Sequence, residues 1–139
     1  MKYEFKQKDI DTTILKYKDN EYEIKRDIDL ISKLQDINNK ARTKMYVELT
    51  KQGIKKDDLI ITTKKDGKTY VDNSNLNALE QDYINAESYN LMNDICNKYF
   101  EKTLEELVLD IGLNPEESQE FGTKLGEAIS GKKSPSQKN

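Results

Sequence analysis

Histidine and tryptophan are missing from the 139 residues, cysteine occurs once and proline twice. Without histidine the chain lacks the side chain that most often serves as a general base near neutral pH and the commonest metal ligand. The single Cys96 excludes an intrachain disulfide. With no imidazole partner and a predicted place inside a long helix, it reads as a core thiol, not a thiolate nucleophile. No G-x-x-x-x-G-K-[ST] or G-x-G-x-x-G is present, so no phosphate cradle can be read from the sequence. No apolar run reaches the ~20 residues of a membrane-spanning helix. The first residues show no apolar core of a signal peptide, and a cytosolic protein is therefore expected.

What is present is highly charged: 35% of residues are charged and 35% hydrophobic, and eight of the eleven aromatics are tyrosine. Such a chain suits one modest core, and a single domain over residues 1–130 is expected. From Gly131 on, Lys132, Lys133 and Lys138 stand without an acid, so a disordered basic tail is expected at 131–139 and the remainder carries −6 of the overall −3. No basic face is dense enough for a nucleic-acid footprint.

Thr13 to Leu34 is the best-determined stretch. With Asp19-Asn20 as a two-residue loop, Tyr17 falls opposite Tyr22 and Leu15 opposite Ile24, while Lys16 pairs with Glu23 and Lys18 with Glu21. Alternation, turn chemistry and cross-strand pairs therefore agree on a half-buried hairpin. Tyr3 and Phe5 alternate with charged residues as a short first strand. After Lys25 the period changes to about 3.6, and Leu30, Leu34, Ile37, Ala41, Met45, Tyr46 and Leu49 predict one long helix from about Asp29 to Gln52, opened by Asp27 or Asp29 and closed at Gly53.

A second, peripheral hairpin is predicted from Leu59 to Val71. A three-residue loop with Gly67 in the bulge position sets Ile61 against Val71, and is preferred to a two-residue loop that opposes Lys65 and Lys68. A long helix follows from Asn73 or Ser74 to Tyr99 or Phe100. Thr103-Leu104-Glu105-Glu106 is a capping box opening a short helix stopped by Gly112. Asn114-Pro115-Glu116-Glu117 opens the last helix. The sum is an α+β fold in which a small antiparallel sheet of N-terminal hairpins packs with about four helices.

Residues that could carry chemistry are few, and no cofactor, metal site or catalytic set is predicted. The echoed Asp9-Ile10-Asp11 and Asp27-Ile28-Asp29 lack the glycine-punctuated loop of a calcium site, so caps and turns explain them better. Asp57-Asp58 and Glu116-Glu117 point apart along the chain and sit where loops and helix starts favour acids. Gly122 and Gly126, one turn apart, each cost roughly 1 kcal/mol of helix propensity, for which a closely approaching backbone is one reason. The last two helices carry apolar faces that serve either the core or a partner.

The hairpin Lys18-Asp19-Asn20-Glu21-Tyr22-Glu23-Ile24, the helix start Asp27 to Leu34, and the pattern from Thr103 to Ile129 with a basic end together resemble the tail assembly chaperones of long-tailed bacteriophages. In many members glycine stands where this chain has Asn20, and the Leu59 to Val71 hairpin has no counterpart in the family pattern. The resemblance implies a non-enzymatic assembly factor that binds the tape measure protein and assists assembly of the tail-tube protein around it. It also implies a longer frameshifted product, with which Gly131-Lys132-Lys133 is compatible. Leu104, Leu107, Val108, Ile111, Phe121, Leu125 and Ile129 would then offer apolar surface to the partner or to a second copy. The competing class is an inhibitor or immunity-type protein of a phage or mobile element, binding a host or toxin protein through its acidic surface. A small carboxylate-based enzyme stands third.

Overall fold

The computed structural model describes residues 2–131. Five α-helices and two antiparallel sheets make up the α+β fold expected from the sequence. The described residues divide into two compact units, one formed by 2–35 together with 90–131, the other by Asp36–Tyr89.

The first unit holds a three-stranded sheet of β1 (Glu4–Gln7), β2 (Thr12–Tyr17) and β3 (Asn20–Lys25) in the order β1-β2-β3. The expected hairpin register is displaced by two residues: the turn is Lys18-Asp19, with Lys18 at φ 51°, and Leu15 faces Tyr22 while Tyr17 faces Asn20. The charge pattern repeats every two residues, so Lys16 meets an acid in either register, here Glu21 at 3.9 Å. A two-residue slip leaves every side chain on its own face. Tyr17 and Tyr22 still stack as diagonal neighbours, with ring centroids 5.9 Å apart.

Phe5, Leu15 and Tyr22 form a row across one sheet face. α5 (Pro115–Ser130) meets it through Phe121, which lies 5.4 Å from the Phe5 ring and 5.2 Å from that of Tyr3. The end of α3 (Ser74–Phe100) meets the same face through Phe100, 5.1 Å from Tyr22. α1 (Ile28–Gln35) and α4 (Leu104–Ile111) complete the unit. Burying each large apolar side chain here contributes roughly 1.5–3 kcal/mol.

The expected long helix is interrupted. α1 ends at Gln35, Asp36 sits at φ −97°, ψ 2°, and α2 runs from Ile37 to Lys51. Aspartate competes with the helix through its own short polar side chain, a local effect that the continuous apolar period does not register.

In the second unit Met45, Leu49 and Leu76 are buried together, with Ile54, Leu59, Ile60, Leu79 and Tyr83 packed against them. α2 ends in a Schellman motif: Gly53 takes φ 71°, its N–H donates to Thr50 O, and that of Ile54 donates to Leu49 O at 2.9 Å. A 3-10 turn at Lys56–Leu59 leads into β4 (Ile61–Lys65) and β5 (Lys68–Asp72).

This second hairpin adopts the two-residue loop, correcting the bulged register expected from sequence. Asp66 and Gly67 both take positive φ, and Lys65 does face Lys68. A turn with two left-handed residues matches the twist of its strands. All ten strand residues are exposed, so the opposed lysines are solvated and repel only weakly.

Candidate protein-docking surface

The seven residues that the apolar pattern offered to a partner are mostly interior. Leu107, Phe121, Leu125 and Ile129 are fully buried, Ile111 is buried, and only Leu104 and Val108 are half-buried. In this conformation five of the seven belong to the core of the first unit, and only Leu104 and Val108 keep some apolar surface. Their helices are held as the sequence predicts. Thr103 Oγ1 accepts from Glu106 N at 3.1 Å and Asn114 Oδ1 from Glu117 N at 2.8 Å, and Gly112 closes α4 at positive φ; Gly131, expected in the tail, closes α5 at φ 73°.

The paired acids have structural partners. Asp9 accepts from Asp11 N, and Asp27 caps α1 by accepting from Leu30 N at 3.1 Å while also pairing with Lys98. Those two contacts, the lysine first, hold the Asp27 carboxyl below its usual range. Asp58 accepts from Lys55 N, and Glu117 pairs with Lys2 at 2.7 Å. No group of three or more potential ligands that could hold a metal occurs among the described residues. Cys96 is fully buried, and burial pushes its thiol up to about 12. Burial likewise pushes the Tyr17 hydroxyl up to about 12, though it accepts from Lys102, which in turn pairs with Asp110 at 3.0 Å.

The close backbone approach suggested by Gly122 and Gly126 is not made, since a Cβ on either would meet nothing within 4 Å. Instead Gly126 opens a hollow of about 410 Å³ lined also by Arg26, Ile31, Leu34, Gln35, Glu127 and Ser130. Its apolar residues Ile31 and Leu34 are half-buried.

A more exposed apolar surface lies in the second unit. Ala41, Met45 and Leu49 bury one side of α2, yet Tyr46 and Val47 on the adjoining side are 38% and 49% exposed. Thr43 and Thr50 complete the spacing i, i+3, i+4, i+7. Their hydroxyls turn back onto the helix, Thr43 to Asn39 O at 2.9 Å and Thr50 to Tyr46 O at 2.8 Å. With the hydroxyls satisfied there, the side chains add methyl groups to the surface. Two adjoining hollows, of about 410 and 460 Å³, share Tyr46 and Thr50. Leu49, Gly53, Ile54, Lys55 and Lys56 complete the first, and Thr43, Val47 and Lys51 the second.

Sequence reasoning placed Tyr46 on the core side and passed over Val47. The available signal was that α2 has apolar residues on two sides, more than one core face needs. The charged residues of α2 that flank the strip toward α3 are committed: Glu87, nearly buried, pairs with Lys44 at 2.6 Å and Lys40 at 3.3 Å, which together hold its carboxyl below the usual range, and Arg42 pairs with Glu80 at 2.8 Å. No helix among the described residues is long and apolar enough to cross a membrane. Comparison of the chain with protein-family models, curated proteins and solved structures gave no match.

Proposed function

We propose that the chain is a non-enzymatic protein-binding factor, a tail assembly chaperone of a long-tailed phage working in the bacterial cytoplasm, that holds helical segments of the tape measure protein during assembly of the tail tube. The phage assignment rests on the resemblance carried by Lys18 to Ile24, Asp27 to Leu34 and Thr103 to Ile129. The observation that carries the binding role is the exposed strip Thr43, Tyr46, Val47 and Thr50. An amphipathic helix laid along it would cover about two turns of α2, the usual helix-in-groove mode.

On this reading the docking face is α2, and the buried faces of α4 and α5 hold the fold together. The test is co-expression with overlapping fragments of a tape measure protein, followed by size-exclusion chromatography. Co-elution with a helical fragment, lost in Val47→Asp but kept in a variant of exposed Glu105, is the expected result. Co-elution unaffected by Val47→Asp and Tyr46→Ser would reject α2 as the docking face, and failure of every fragment to co-elute would reject the assignment.

A further inference from the structure

Three lysines stand around the strip on α2. Lys51 lines the hollow beside Val47, and Lys55 and Lys56 line the one beside Ile54. Among the described residues none of the three has a carboxylate within ion-pair distance, whereas Lys40, Arg42 and Lys44 of the same helix are all taken. Of the local acids, Glu48 accepts from the Gln52 amide at 3.1 Å and Asp58 from Lys55 N at 2.8 Å, and neither pairs with one of the three ammonium groups. The hollows along the apolar strip are thus edged by three ammonium groups that no carboxylate among the described residues pairs with.

We propose that this strip takes an amphipathic helix whose apolar stripe is flanked by carboxylates, and that Lys51, Lys55 and Lys56 select it against helices with basic flanks. The proposal rests on reading α2 as the docking face and adds the chemistry of its occupant. The apolar residues supply contact area and the lysines supply choice, because charge at the rim of an interface discriminates partners more than it tightens binding.

The test uses the full chain and three synthetic helical peptides with the same leucine and alanine stripe, flanked by glutamate, glutamine or lysine, read by fluorescence anisotropy. At low salt the glutamate peptide is expected to bind about tenfold tighter than the lysine peptide, and the gap to shrink as ionic strength rises. The variant K51E/K55E/K56E, altered only at exposed positions, should invert the order. K55E/K56E, whose changes lie outside α2, should shift it the same way with far-UV circular dichroism unchanged. Equal binding of the three peptides would overturn the selection while leaving the docking face intact. No binding by any of them would overturn both.

The same chain carries an alternative occupant. Leu109 on α4 is 74% exposed beside Glu105, Glu106 and Asp110. Self-association that rises with concentration and disappears in Val47→Asp would assign the strip to a second copy and overturn the proposal.

Discussion

Thr43 and Thr50 lie on a surface that composition alone would score as polar, and their hydroxyls are bonded to carbonyls one turn back. Whether a threonine shows its methyl or its hydroxyl depends on its rotamer, so this strip was not legible in the sequence. Val47, half exposed, has little to lose in stability: Val47→Asp should change unfolding free energy by no more than about 0.5 kcal/mol while lowering affinity for a helical partner about tenfold. Leu125→Asp places a charge in the interior of the first unit and should unfold it, with loss of the near-ultraviolet signal. Phe121→Ala should cost about 3–5 kcal/mol in a denaturant titration. Cys96 should resist a thiol reagent at pH 8 until the protein is unfolded.

Asp27 gives a pH dependence with a definite sign. Its carboxyl is depressed in the folded chain, so its contribution is complete above the unfolded value and is lost as pH falls through the folded one. Thermal midpoints should therefore drop below about pH 4, and less steeply in Asp27→Asn. Identical slopes in the two proteins would contradict the assignment.

At the scale of elements, local signals were read best. The capping boxes at Thr103 and Asn114, the left-handed closures at Gly53 and Gly112, and the cap at Asp27 depend on residues within one turn, and all were visible as patterns. Thr103→Ala should cost about 1 kcal/mol. The errors came where one local rule was compatible with two outcomes. Lys16 finds an acid in either hairpin register, the apolar period continues across Asp36 although the helix does not, and the repulsion of Lys65 and Lys68 counts for little where both are solvated. The second hairpin buries no side chain, and a two-stranded ribbon without an apolar face is marginal. Its amide hydrogens should exchange much faster than those of β2 and β3, and equal protection would show that something covers it.

For the molecule as a whole, the α+β class followed from hairpins passing into helical periods, and the structure has it. The exposed strip on α2 did not follow. Sequence assigned partner capture to the strongest apolar stripes, in α4 and α5, but the strongest stripes are what a core uses first. Which second face stays uncovered is decided by what α3 and the 3-10 turn bury of α2, and no single helix encodes that. Met45→Ala, which opens the core of the second unit, should raise exchange within residues 36–89 before it does so in β2 and β3.

Amide hydrogen exchange on the full chain, with and without a helical tape measure fragment, tests the central claim most directly. New protection at Thr43 to Ile54, with α4 and α5 unchanged, is the predicted result. Protection that instead falls on Leu104 to Ile129 and leaves α2 unaltered would contradict it.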